Sequence, residues 1–200
     1  MMKKFSLTLQ SEKEVLDNLQ DHHLCAHEQA IVKEILTAIE KGDAQMLNHF
    51  NQFGHSLKHI YLNTYAYRNG LKFGFDEIIF DEYGWLKRAQ FLETEDLVFG
   101  NKQHYGEHST LTLGRGPNHK WTYGLFYSFG TAGGAWGLSV YQQPKSGRDE
   151  ALAAGIADLK NRFTKVLGNN DTLNYKQPII TRTLADIAAF QNAQVQLTLF

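Results

Sequence analysis

Thr110-Leu111-Thr112-Leu113-Gly114-Arg115-Gly116-Pro117-Asn118-His119-Lys120-Trp121-Thr122-Tyr123-Gly124-Leu125-Phe126-Tyr127-Ser128-Phe129 reads as a strand, a turn and a returning strand. Residues 110 to 113 alternate polar and apolar, the pattern of a strand with one buried face. The glycines and proline of 114 to 118 break that pattern and mark a turn. From Lys120 onward Trp121, Tyr123, Leu125, Tyr127 and Phe129 recur with period two, so they share one face of the return strand. This hairpin sets the fold: an antiparallel sheet needs no crossover helix, and its aromatic face needs a cover.

Upstream, Glu77 to Phe80, Trp85 to Leu92 and Leu97 to Phe99 extend the strand pattern around Tyr83-Gly84 as an antiparallel pair or meander. Downstream, Trp136 to Tyr141 reads as a further strand, with Trp136, Leu138 and Val140 aligned. The period then changes to that of a helix. Leu152, Ile156, Leu159, Phe163 and Val166 form one stripe with Gly168 just past its end, predicting a long helix over 149 to 167 that covers the sheet. A loop runs to Pro178, and Thr183 is positioned to cap a short helix through Leu184, Ile187 and Ala188.

The first third is helical in pattern. Ser11 and Glu14 have capping-box spacing before Val15, Leu16 and Leu19. Ile31, Val32, Ile35, Leu36 and Ile39 make the strongest apolar stripe, and Gly42 is a suitable stop. Asp43 is placed to cap a helix carrying Met46, Leu47 and Phe50, and Leu57, Ile60, Tyr61 and Tyr65 begin another that ends near Asn69-Gly70. The expected fold class is α+β: an N-terminal helical layer (1–70) packed on the same core as a central antiparallel sheet with helices (71–193), the sheet covered by a long C-terminal helix, and a tail at 194–200.

Composition narrows the function classes. With 20 Lys plus Arg against 21 Asp plus Glu, the net charge of -1 gives no general attraction to nucleic acid or anionic lipid, so any contact with nucleic acid is expected to be indirect or weak. Cys25 has no partner for an internal disulfide, no apolar run reaches the roughly 18 to 20 residues of a membrane span, and no signal peptide is visible. A cytoplasmic, non-membrane protein is the expectation.

Nine histidines include three His-x-x-x-His pairs: His23 with His27, His55 with His59, and His104 with His108. On a helix such spacing puts two imidazoles on one side, and Cys25 and Glu28 lie near the first pair. No His-Glu-x-x-His or Cys-rich pattern supplies the third ligand of a catalytic zinc site, so solvated or core histidines are expected, with no metal and no cofactor. The loop 101–120 gathers Lys102, His104, His108, Arg115, His119 and Lys120. With Trp121 and Tyr123 beside it, it offers a ligand-binding alternative: a basic rim next to an aromatic surface. The competing reading makes that aromatic stripe the underside of the long helix.

Gly130-Thr131-Ala132-Gly133-Gly134 lacks the Lys-Ser or Lys-Thr ending of a phosphate loop and precedes a strand, so it reads as a hairpin loop. Asp76, Glu77, Asp81, Glu82, Glu93, Glu95 and Asp96 are too scattered for a two-metal nuclease. No nucleophile elbow is present. The chain shows no sequence-visible catalytic centre and leans away from an enzyme.

The remaining signal is Gln194-Val195-Gln196-Leu197-Thr198-Leu199-Phe200. Gln196, Leu197, Leu199 and Phe200, with Thr198 at a small polar position, resemble the Gln-Leu-(Ser or Asp)-Leu-Phe peptide with which bacterial replication and repair proteins dock onto the β sliding clamp. The resemblance implies a partner and an accessory role in bacterial, phage or mobile-element replication. In physical terms, Leu197, Leu199 and Phe200 are apolar anchors and Gln196 a bidirectional hydrogen-bonding amide. The alternative is a terminal strand with Val195, Leu197 and Leu199 turned inward.

Overall fold

The computed structural model describes residues 5–20 and 23–197, apart from the side chains of Val195 and Leu197. The chain is α+β and divides into two compact units, Met1–Ala89 and Gln90–Phe200. The boundary falls after the Trp85 to Ala89 segment that sequence periodicity had joined to the sheet, and each unit has its own hydrophobic cluster.

The first unit holds α1 (Glu12–Leu19), α2 (Ala26–Glu40), α3 (Ala44–Asn51) and α4 (Leu57–Leu71). Ile31, Val32, Ile35 and Ile39 of α2 are all buried, as their spacing predicts. Gly42 ends α2 in the left-handed region at φ 66°, where a Cβ is unfavourable, and the Asp43 carboxylate caps α3 by accepting from Met46 N at 2.9 Å. The start of α1 differs from its expected cap: the Ser11 hydroxyl accepts from Thr8 N, 3.0 Å, in a 3-10 turn over Leu9–Ser11. The expected strand pair around Tyr83-Gly84 shrinks to one bridge, Phe80 with Leu86. Asp81 Oδ1 draws in the amides of Tyr83 and Trp85, both at 2.9 Å, and this local turn takes the place of a longer ladder. Buried Asn63 pins the turn to α4, donating to Phe53 O at 2.7 Å and Gly84 O at 2.9 Å and accepting from Leu86 N at 2.9 Å.

In the second unit, β1 (Glu93–Gly100), β2 (His108–Arg115), β3 (Trp121–Ser128) and β4 (Gly133–Trp136) form an antiparallel sheet in chain order. The quoted hairpin is β2 and β3, with Leu111 opposite Leu125 and Leu113 opposite Tyr123. The last strand lies earlier than predicted: Gly133 to Trp136 pairs with β3, not Trp136 to Tyr141. Two glycines read as loop from the sequence, yet their lack of a side chain is what admits the pairing. A Cβ on Gly133 would sit 2.4 Å from Tyr127 O, and one on Gly134 2.6 Å from Tyr127 Oη.

Helix α5 (Arg148–Val166) packs on β2 and β3, and α6 (Gln177–Leu197) packs on β1 and β2. Their shared core contains Leu111, Leu113, Leu125, Leu159, Phe163, Ile180 and Ile187. On the opposite face, Leu138 lies against Gly114, and Thr122 Oγ1 donates to Gln142 Oε1 at 2.8 Å. Helix α6 begins six residues before Thr183, with Pro178 in its first turn where a missing amide hydrogen costs nothing. Thr183 is no cap: it is fully buried within α6, beside Gly100. Among the described residues, no helix is long and apolar enough to cross a membrane.

Candidate functional site

The loop 101–120 does not bring its cationic residues into one place. Arg115 closes β2, where its Nη2 meets Glu93 Oε1 at 2.5 Å and its Nη1 lies 2.7 Å from His119 Nδ1. His119 reaches that position through a left-handed backbone, φ 64°. The Arg115 hydrogen bond holds the Glu93 carboxyl below its ordinary range. Trp121 joins this end by pairing with Arg115 across the hairpin and exchanging backbone hydrogen bonds with Lys145 on its other side.

His108 begins β2, seven residues from Arg115, which at about 3.3 Å per residue is about 23 Å away. His104 stays with it, its carbonyl 3.3 Å from His108 Nδ1. Strand alternation also turns His108 to the face opposite Trp121 and Tyr123, where it meets the Phe126 ring at 5.6 Å. The expected basic rim is therefore split between two sheet ends, with its members on two faces. Trp121, Tyr123 and Tyr127 pack against the core under α5, the second of the two readings of that stripe. Residues 130 to 132 form the β3–β4 turn.

One polar constellation escaped sequence reading. Arg162 of α5 lies over the rings of Tyr127 and Trp136, at 4.9 and 4.5 Å, and its Nε donates to Asp158 Oδ1 at 2.9 Å. Tyr123 Oη donates to Asp158 Oδ2 at 3.3 Å, and burial raises the phenol's pKa, reinforced by the Asp158 charge. Arg162 Nη1 also donates to Tyr127 Oη at 3.2 Å, so the cluster ties α5 to β3 and the edge strand. The spacing of Asp158 and Arg162 was visible, but their aromatic partners required the α5–sheet packing.

None of the three histidine pairs lies on one helical face. His23 is in a turn before α2, His55 in a bend before α4, and His104 in the loop before β2. Among the described residues, the metal-ligand grouping that does form is Cys25, His27 and Glu28, whose ligand atoms all lie within 4.8 Å of one another. The acidic residues between 76 and 96 form no such group.

At the far end of the chain, Phe190 of α6 packs on the core, edge-on to Phe99 at 5.7 Å. Gln191 still accepts from Lys160 Nζ at 3.3 Å, and residues 191 to 194 and 196 are exposed. Gln194 to Leu197 are helical, so the alternative of a terminal strand is not adopted there. Thr198, Leu199 and Phe200 lie outside the described residues. Comparison with family models, with curated proteins and with solved structures gives no match to this chain.

Proposed function

We propose that this protein is an accessory factor recruited to a bacterial β sliding clamp through Gln196, Leu197, Leu199 and Phe200. The observation that carries the proposal is the Gln-Leu-Thr-Leu-Phe peptide itself. It is supported by the exposure of residues 191 to 194 and 196 of α6, which follow the core residue Phe190.

Docking as an extended peptide requires the last helical residues to unwind. Helix ends fray at little cost, and the exposed residues 191 to 194 and 196 offer little resistance to that opening. Each buried Leu or Phe contributes about 1.5 to 3 kcal/mol before ordering costs, which places the contact in the micromolar range.

The test is binding of the full chain to immobilised bacterial clamp. Leu199→Ala with Phe200→Ala should weaken binding about 100-fold or more, while removal of 196 to 200 abolishes it and leaves the thermal midpoint of the body unchanged. Absence of binding by the intact chain, or equal binding by the double variant, overturns the proposal.

A further inference from the structure

The first turn of α2 carries a second candidate site, unrelated to clamp docking. We propose that Cys25 Sγ, the His27 imidazole and the Glu28 carboxylate form a binding site for a zinc-type divalent cation. Sulfur, nitrogen and oxygen donors are the set such a borderline-soft ion takes, and three protein ligands leave one position open.

The geometry is compatible with one shared ion. The sulfur lies 3.2 Å from His27 Nδ1 and 3.3 Å from Nε2, and all three ligand atoms fall within 4.8 Å. Ligands of a tetrahedral zinc ion bound at about 2.3 Å through sulfur and about 2.0 Å through nitrogen stand about 3.5 Å apart. Near-equal distances to both ring nitrogens mean that neither forms a well-aligned hydrogen bond to the sulfur. Binding re-aims one nitrogen lone pair at the cation.

Two of the donors are already held by neighbouring groups. The His27 ring is stacked on Tyr65 at 3.9 Å and 21°, and Glu28 Oε2 accepts from Cys25 N at 2.7 Å. The contact to Cys25 N orients the carboxylate as such supporting contacts do in metal sites, whereas the His27 ring must turn from its present stack to aim a nitrogen at the ion. The helix N-terminus opposes a cation, and the two negative charges of thiolate and carboxylate offset it. Without metal, the thiol keeps its proton in a hydrogen bond to the Glu28 carboxylate, which raises the Cys25 pKa and lowers that of Glu28. On binding, the cation replaces that proton, a sulfur–metal bond forms, and the proton passes to solvent.

The experiment is a titration of reduced full-length protein with Co2+, followed by Zn2+ displacement. A thiolate-to-cobalt charge-transfer band with tetrahedral visible bands, lost on adding Zn2+, is expected. Cys25→Ser should remove the charge-transfer band. His27→Phe, which keeps the stack on Tyr65, and Glu28→Gln, which keeps the acceptor for Cys25 N, should each weaken binding at least about tenfold, the loss seen even for outer contacts of metal sites. Circular dichroism establishes that each variant is folded. A spectrum without the sulfur band, unchanged binding by Cys25→Ser, or loss of the signal in His104→Ala or His119→Ala overturns the assignment.

Discussion

Gly155 shows how one residue reconciles a helix with the sheet beneath it. Alanine is the better helix former by about 1 kcal/mol, yet a Cβ at 155 would stand 2.4 Å from Leu111 Cδ1 and 3.0 Å from Cδ2. Leu111 is fully buried, so it cannot turn out into solvent to make room. Overpacking costs about 1 to 3 kcal/mol, so Gly155→Ala should destabilise the protein by about 1 kcal/mol net, read as a lower denaturant midpoint with unchanged slope. A raised midpoint would show that the sheet yields. Glu95 gives a second case: Arg148 donates to it through Nε and Nη2, both at 2.8 Å, and these bonds hold its carboxyl below the ordinary range. A depressed carboxyl pKa stabilises the fold above the unfolded value of about 4.3 and loses that contribution as pH falls through the folded value. The pair is more than one-third exposed, so Glu95→Gln should cost under about 1 kcal/mol at neutral pH, less in high salt, and nothing in strong acid. An equal cost at pH 7 and in strong acid would exclude the ion pair as its source.

At the scale of elements, Asn63 decides whether residues 80 to 86 have a defined place. Its amide satisfies three backbone groups that no longer ladder supports. Asn63→Ala should cost about 2 to 4 kcal/mol, since leaving buried partners unpaired exceeds the worth of the bonds themselves. Hydrogen exchange checks this directly: the Leu86 amide should lose protection while those of β2 and β3 keep theirs. The end of α6 is the opposite case. Residues 191 to 194 and 196 are exposed positions on helix, the kind of segment from which local opening starts.

For the molecule as a whole, near-neutral charge constrains function more than any single cluster does. Non-specific DNA affinity comes from phosphate neutralisation by Lys and Arg, and here 20 cations face 21 anions. Several of those cations are already paired, among them Arg68 with Glu34, Arg115 with Glu93 and Arg148 with Glu95. The protein at about 1 μM in about 0.15 M salt should leave the electrophoretic mobility of duplex DNA unchanged. A clear shift under those conditions would mean that surface cations form a patch able to bind DNA directly.

Local patterns were enough for much of the architecture. The α2 stripe, the Asp43 cap, the β2–β3 hairpin, the α5 stripe and the α+β class follow from periodicity and turn chemistry, because those signals arise within a few residues. The resemblance of residues 196 to 200 to a clamp-binding peptide rests on linear sequence alone. Tertiary structure alone settled which glycines pair as strand, where Thr183 is buried, and that His108 and Arg115 stand at opposite ends of one strand. It alone drew Arg162 onto Tyr127 and Trp136, and His27 onto Tyr65 beside Cys25 and Glu28. Periodicity tells which face a side chain occupies, whereas its neighbours across that face are fixed only when separate elements pack together.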